Sequence, residues 1–479
     1  MILIMKKCLI ALAGMVLILL ATNSNGADSK FEKIVVSKAG DRFETQSGKP
    51  YIPWGLTYFR PETGWAPKVW RMFDPVITRA DFIRLRNMGG NCVRVFLTYN
   101  EFLTTPDKVD ESGLKKLDEF LKIAEETGVY VHPTGPDHWE GLPEWARGDR
   151  ISDERVLSAL EIFWSTIASR YKGRNVIFAY DLLNEPSVPW NSPSLKKKWN
   201  DWLIMKYGKV ENAIKAWQLT EQEFAESQIP PQNTKNLNWL KDYQEFREDI
   251  AINWVRRQTD AIKKSDPNAL VTVGLIQWSY PLFISNPAMY SGFRPSKIAP
   301  YLDFLEIHFY PFADGAYHYQ GEEAELRNIA YLTAILNDMA IIRKPILIAE
   351  YGWYGGGTLP NSKAPNASEI QQAHYCERLV LTSKNWACGW LHWGMYDHPT
   401  ATDVTRYIGL FKSDGQIKEW GKTFSRLGNG FAEGKISLTR EKINLPTLDF
   451  DSATVNPQSA REFFEKFFES FKKMQKQIP

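Results

Sequence analysis

An α/β fold, a (β/α)8 TIM barrel, is what this sequence predicts, and three observations carry the prediction. Apolar runs of strand length alternate with amphipathic helical patterns through eight units, with no internal repeat. Two of those runs, Ile177-Phe178-Ala179-Tyr180-Asp181-Leu182-Leu183 and Pro345-Ile346-Leu347-Ile348-Ala349, close on Asn184-Glu185-Pro186 and on Glu350. Near-continuous apolar runs are how parallel strands buried on both faces read, and barrels build their sites at the carboxyl ends of such strands. No Gly-rich phosphate loop follows the first strand, which disfavours an open doubly wound sheet. At 479 residues with 44% apolar content, the chain can bury one large barrel with insertions.

In chain order, residues 34–46 read as two short strands around Gly40-Asp41, an N-terminal hairpin (28–50) closing the barrel floor. The first strand is 51–57, followed by a helix over 78–88 with Thr78 as N-cap and Gly89 past its end. The second strand is 91–97, with a helix over 112–127 between Ser112 and Gly128; the third is 129–133, with its helix over 152–171. The fourth, 176–183, should end before Pro186, which has no N–H for a ladder. Residues 189–238 interrupt the alternation with helical patterns of their own and read as an insertion on the barrel rim beside Glu185. A helix over 240–264 and a fifth strand at 269–276 resume it, and a short irregular segment around 282–295 stands where the next helix should be. The sixth strand is 301–309, the seventh 345–349 and the eighth 388–393, with helices over 322–342, 368–384 and 417–427. The barrel thus occupies 51–430. The C-terminal extension, 431–479, holds Phe463, Phe464, Phe467, Phe468, Phe471 and Met474 on one stripe, an amphipathic helix expected to dock on the barrel's own helices.

Composition narrows the function. A net charge of +2 and no basic run longer than Lys196-Lys197-Lys198 argue against a nucleic-acid partner. Residues 1–27 read as a signal peptide: Lys6-Lys7, an apolar core from Cys8 to Ala21 too short for a comfortable membrane span, then small polar residues. Export to a secreted or periplasmic location, with no stable membrane insertion after cleavage, is the expectation, an uncleaved anchor the alternative. Cys92, Cys376 and Cys388 then remain; Cys376 and Cys388 could pair, though an odd count argues against a disulfide framework. No Cys/His spacing suits zinc, and no metal or cofactor is implied.

Collected at the strand ends are Arg94, with Tyr99 and Asn100 beyond; His132, then the loop Asp137-His138-Trp139-Glu140; Asn184 and Glu185; Gln277 and Trp278; Glu306, His308 and Tyr310; Glu350 and Trp353; Trp390, His392 and Trp393. Two carboxylic acids, polar partners and aromatic walls suit cleavage of a glycosidic bond, one acid protonating the leaving oxygen while the other attacks the anomeric carbon. Each residue also has an ordinary structural explanation. Arg94 in a strand could form a buried ion pair, His132 and His308 could be satisfied core histidines, and any single Trp is more often core than ligand.

On these residues the sequence resembles the clan of retaining (β/α)8 glycoside hydrolases. Arg94, His308-Phe309-Tyr310 and Trp393 make it most similar to glycoside hydrolase family 5, the cellulase/mannanase type, over residues 51–428. The resemblance implies a β-linked glucan or mannan substrate, Glu185 as acid/base and Glu350 as nucleophile. It further implies Asn184 on the sugar 2-hydroxyl, Arg94 and Tyr310 on the nucleophile, His308 near the acid/base and Trp393 flooring the cleavage subsite. His132 and His138 compete for the third-strand histidine, and Trp139, Trp278 and Trp353 join the expected sugar-binding set. The insertion departs from a minimal cellulase barrel and resembles those of β-galactosidase-type members of the clan, which leaves an exo-acting β-galactosidase or β-mannosidase type as the alternative. A non-catalytic glycan-binding barrel would keep the aromatics but could lose the acids, and both are present here.

Overall fold

The computed structural model describes residues 31–64, 68–311, 321–360 and 366–475. The segment read as a signal peptide lies outside them. Eight parallel strands close into a barrel: β4 (Trp54–Thr57), β5 (Cys92–Thr98), β6 (Tyr130–Asp137), β7 (Tyr180–Asn184), β8 (Val271–Ile276), β9 (Leu305–Phe309), β10 (Ile346–Tyr351) and β11 (Gly389–Trp393). They neighbour one another in chain order, and β11 pairs with β4 to complete the ring. Before them β1 (Ile34–Val36), β2 (Phe43–Thr45) and β3 (Pro50–Tyr51) form a small antiparallel sheet. Phe43 drives into the barrel floor, its ring 5.0 Å from both Phe178 and Phe304. That plug leaves only the opposite, carboxyl-terminal mouth for chemistry.

Several boundaries differ from the sequence reading, each for a local reason. The expected first strand divides at Ile52-Pro53: Pro50–Tyr51 belongs to the floor sheet and Trp54–Thr57 to the barrel. The third strand runs on to Asp137, past Pro133 and Pro136, carrying its polar end further into the mouth. Three helices start elsewhere, each directly after an aspartate. Asp74, not Thr78, caps the helix Pro75–Asn87 by accepting the amides of Val76 and Ile77, with Pro75 at its first position. Asp110 precedes Glu111–Thr127 where Ser112 was expected, and Asp153 caps Glu154–Arg170 by accepting the amides of Arg155 and Val156. Cys92, Cys376 and Cys388 are all free, buried thiols.

The insertion folds as helices Pro193–Tyr207, Val210–Trp217 and Glu221–Ser227. It is pinned to the first turns of the long helix Leu237–Ser265 by stacked indoles, Trp199 on Trp202, Trp199 on Trp217 and Trp217 on Trp239, centroids 5.2–5.9 Å apart. Asp242 ties the stack together, accepting from Tyr207 Oη at 2.6 Å, Trp217 Nε1 at 2.8 Å and Lys206 Nζ at 3.0 Å. Trp190 anchors the lead-in, donating its indole N–H to the Pro230 carbonyl at 3.1 Å.

After β8 short turns replace a full helix, as the sequence indicated, and the C-terminal extension covers the gap. Phe450 packs on Tyr280 and Tyr290 under the Arg294 guanidinium. The helix Pro457–Gln475 buries Phe464, Phe467, Phe468 and Phe471, with Phe464 against Phe283 and Tyr331. Phe463 and Met474, placed on the same stripe, are half-buried. Among the described residues, no helix is long and apolar enough to cross a membrane.

Candidate active site

Alternation along parallel strands sends Arg94, Thr134, Asp181, Gly274, Glu306, His308 and Glu350 toward the barrel axis. Arg94 is at the centre and has no exposed surface. Its Nη2 donates to Asp181 Oδ2 at 2.7 Å and to Asn184 Oδ1 at 2.9 Å, its Nε to Asp181 Oδ2 at 3.2 Å, and its Nη1 to Glu350 Oε1 at 2.6 Å. Burial works against the guanidinium's charge, but Asp181, Glu350 and Glu306 outweigh it and raise its pKa above the ordinary value. Asp181 is itself pushed up by burial and by Glu306. Thr134 Oγ1 and the Gly274 amide also donate to it, at 2.8 and 2.7 Å. A glycine at 274 keeps this space open: a Cβ there would sit 3.0 Å from the His308 ring and 3.1 Å from Asp181 Oδ2, so those side chains would have to give way.

Glu350 is re-aimed by an irregularity in the ladder between Ile348 and Glu350, which sets it level with His308 on the neighbouring strand. Tyr310, just past β9, donates its hydroxyl to Glu350 Oε2 at 2.8 Å. Burial raises the pKa of the Glu350 carboxyl, and Glu185 adds to that push; His308, Arg94 and the Tyr310 hydroxyl oppose it. Glu185 follows β7 with a left-handed backbone, φ 49°, its amide donating to the Gly274 carbonyl at 2.8 Å. A non-glycine residue adopts that conformation at a cost, and such strain collects at functional sites. His308 Nδ1 lies 3.1 Å from Glu185 Oε1 and 3.7 Å from Glu350 Oε1. One oxygen of each glutamate and a His308 ring nitrogen all fall within 4.8 Å of one another. Those carboxylates already face Arg94, His308 and Tyr310, an ion network more than a cage for a cation.

The expected site residues divide into four groups. Glu185, Glu350, Arg94, Asn184, His308 and Tyr310 converge as described. His138 and Trp139 stack at 4.3 Å on the loop after β6 and line a pocket of about 540 Å³ with Asn184, Glu185, Asp149 and Ser192. Trp278 stands exposed on the turn after β8, and Trp393 lies near the mouth with its indole N–H on Thr405 Oγ1 at 3.1 Å, its ring 7% exposed. Two expectations need correction. His132 has no exposed surface and reaches Glu306, below the site, so His138 is the third-strand histidine at the pocket. Trp353 is 1% exposed beside Tyr354, its backbone carbonyl held by Gln372, and belongs to the core. Asp181 and Asp149 were missed. A lone acid inside an otherwise apolar strand was the available signal for Asp181; nothing in the local sequence marked Asp149.

A sequence profile for cellulase, glycosyl hydrolase family 5, matches residues 47–398, and the chain belongs to that family. Endoglucanase A of Clostridium longisporum is 26% identical over 129 residues, 26% of this chain but only 22% of that protein. A putative mannan endo-1,4-beta-mannosidase 9 of Oryza sativa subsp. japonica is 21% identical over 362 residues, covering 72% of this chain and 76% of that protein. Among solved structures, the GH5_18 protein of Streptomyces cattleya in complex with Manb1-4GlcNAc superposes with a TM-score of 0.64 at 17% identity, covering 88% of this chain and 92% of that one. That likeness shows a shared fold. The family is one of glycosyl hydrolases, and the chain spans less than a quarter of the length of the Clostridium endoglucanase it matches.

Asp149 ties the two walls of the pocket together. Its Oδ1 accepts the amides of Ile151 and Ser152 at 2.8 and 2.9 Å, and its Oδ2 accepts the hydroxyls of Ser152 and Ser192, the latter at 2.6 Å. Ser192 caps the first insertion helix. Asp149→Ala is therefore expected to lower stability by about 1–3 kcal/mol, the scale for orphaned buried donors. It should raise KM several-fold while leaving kcat within about twofold. Thermal unfolding and steady-state kinetics check both.

Proposed function

We propose that the protein cleaves β-linked glucan- or mannan-type oligosaccharides by double displacement, with Glu185 as acid/base and Glu350 as nucleophile. The observation that carries the assignment is the contrast between the two carboxyls, whose oxygens approach within 4.8 Å. Retaining pairs hold their carboxyl groups about 5–5.5 Å apart, whereas inverting pairs leave about 6.5–9.5 Å for a water. Glu350 is 5% exposed and fixed by Arg94 and Tyr310, as a nucleophile aimed at one carbon needs to be. Glu185 is 27% exposed, opens on the pocket and, among the described residues, pairs only with His308, which leaves it free to trade a proton with substrate and then with water.

In the first step Glu350 attacks the anomeric carbon while Glu185 protonates the departing oxygen; in the second Glu185 takes a proton from water as it displaces the ester. Arg94 occupies Asn184 Oδ1, leaving the amide N–H groups to donate to the sugar 2-hydroxyl. Trp278 offers an exposed aromatic face at the mouth, while Trp393 keeps 7% of its surface exposed. The amino-terminal Lys6-Lys7 and the apolar stretch after it support export before action.

A preference for short oligosaccharides or chain ends follows from the pocket beside Glu185. Its walls are the loop carrying His138 and Trp139 and the start of the insertion, from Pro186 to Pro193. At about 540 Å³ it is the size of a small-ligand pocket, not of an open polysaccharide groove. The disaccharide bound to the S. cattleya relative makes a β-mannosidic disaccharide the first substrate to try.

Glu185→Gln should lose about 10²- to 10⁴-fold on substrates with poor leaving groups, yet form the glycosyl-enzyme from dinitrophenyl glycosides at near wild-type rate. Glu350→Gln should form no intermediate from either. Equal loss by both variants in the intermediate-forming step on dinitrophenyl substrates would remove this division of roles. For the cutting mode, viscosity is followed against reducing-sugar release on a soluble mannan or glucan. Sugar release at nearly constant viscosity is expected, and an early collapse of viscosity would mean mid-chain cutting.

A further inference from the structure

Glu306 lies wholly buried on β9, on the same face as His308 two residues further along. Each of its oxygens meets a different imidazole: Oε2 is 3.0 Å from His132 Nε2, and Oε1 is 3.4 Å from His308 Nε2. The outer nitrogens of the two rings point away from each other. His132 Nδ1 is 2.8 Å from the Ala179 carbonyl, and His308 Nδ1 is 3.1 Å from Glu185 Oε1. The result is an unbroken row from the barrel interior to the mouth: Ala179 carbonyl, His132, Glu306, His308, Glu185.

The protons in this row can be counted. A carbonyl only accepts, so His132 Nδ1 carries a hydrogen. A neutral imidazole has one N–H, yet both nitrogens of both rings face oxygen acceptors. Each remaining contact therefore needs a proton of its own, shared along His132, Glu306, His308 and Glu185. The surrounding charges favour a second proton on His308. Arg94 Nε, 3.6 Å from Glu306 Oε1, and Asp181 face the row from β5 and β7, Glu350 and Tyr310 from the far side, and Cys92 from below. Burial would discharge His308, and Arg94 opposes its charge, but Glu350, Glu185 and Glu306 together raise its pKa to about 10. Burial likewise penalises the Glu306 carboxylate, and His132, His308 and Arg94 overcome it and hold the carboxyl below the ordinary range.

We propose that Glu306 is a positioning residue for the reaction: it holds His308 as the imidazolium, so that Nδ1–H stays aimed at Glu185, and with His132 behind it sets the pH at which Glu185 gives up its proton. The proposal rests on Glu185 being the acid/base. No net proton moves along the row during turnover. When Glu185 protonates the leaving oxygen and the glycosidic bond breaks, the new carboxylate finds a cation already 3.1 Å away; when Glu185 takes a proton from water, the same cation remains.

Glu306→Gln is a variant the site can satisfy. The amide nitrogen would donate to a neutral His132 Nε2 and the amide oxygen would accept from His308 Nε2–H. His308 then becomes neutral and presents a lone pair, not an N–H, to Glu185. In His132→Gln the new amide donates to Glu306, leaving its full negative charge to His308.

The test is nitrogen NMR titration of the histidine rings in the full-length enzyme and both variants, with His308 assigned through His308→Gln. In the wild type the His308 imidazolium should persist above about pH 9, and Glu306→Gln should lower its titration by about 2 units or more. His132→Gln should leave that titration unchanged or raise it. An unmoved His308 in Glu306→Gln, or a fall in both variants, overturns the proposal. Kinetics give the second readout. On a substrate with a poor leaving group, the alkaline limb of kcat/KM in Glu306→Gln should rise by about 1 unit, because a carboxyl facing a neutral ring keeps its proton longer. A dinitrophenyl substrate should show no such shift. A limb that stays put while His308 moves would overturn the link from the row to catalysis; the separate kinetics of Glu185→Gln then tell whether the acid/base assignment has failed as well.

Discussion

A guanidinium with no exposed surface at the axis of the barrel is the constraint around which the mouth is built. Removing an ion from water costs several kcal/mol even after relaxation, so Arg94 is tolerable only with its charge matched and its donors filled. Asp181 and Glu350 match the charge, and Asn184 takes a further donor. Glu350 and Asn184 are thereby each fixed from below by the same guanidinium. Asp181 needs satisfaction in turn, which explains Thr134 beside it and the glycine at 274 whose bare amide reaches it. Removing Arg94 would leave Asp181 and Glu350 without their shared buried cation, typically a loss of about 3–5 kcal/mol.

The elements added to the barrel answer a different need. Where the helix after β8 is missing, the sheet's outer face would meet water, and Phe450 and Phe464 close it from the far end of the chain. The insertion is packed by its own tryptophan stack on the extended helix Leu237–Ser265, so it forms a firm wall beside Glu185. Asp149 then bolts that wall to the loop after β6. The floor sheet, the extension and the insertion all confine access to one mouth and narrow it from one side.

Much of this was legible in the sequence, for a physical reason. A parallel barrel puts its chemistry at strand ends, so a buried run closing on Asn184-Glu185-Pro186 and another on Glu350 marked the site before any coordinates. Periodicity alone located the eight strands, the insertion and the aromatic stripe of the C-terminal helix. What pattern could not settle was depth. His132 and His138 sit on one strand and the loop after it, and only the run of β6 to Asp137 shows that the first is sunk beneath the site and the second faces the pocket. Trp353 shares its strand-end position with residues that do face the mouth, yet its ring turns into the core. Thr78 lies inside its helix because Asp74 upstream caps it and Pro75 opens it. Asp149 went unseen because its partners, Ser152 and Ser192, are brought together only by the fold.

The central claim is that this network prepares Glu350, and not Glu185, to form a bond to sugar. Incubation with an activated 2-deoxy-2-fluoro β-mannoside or β-glucoside, then peptide mass spectrometry, tests it directly. The account predicts one added fluorosugar per chain, on the peptide carrying Glu350 and absent from Glu350→Gln. A label on Glu185 would contradict it, and so would steady turnover of the same reagent with no covalent adduct and an inverted product.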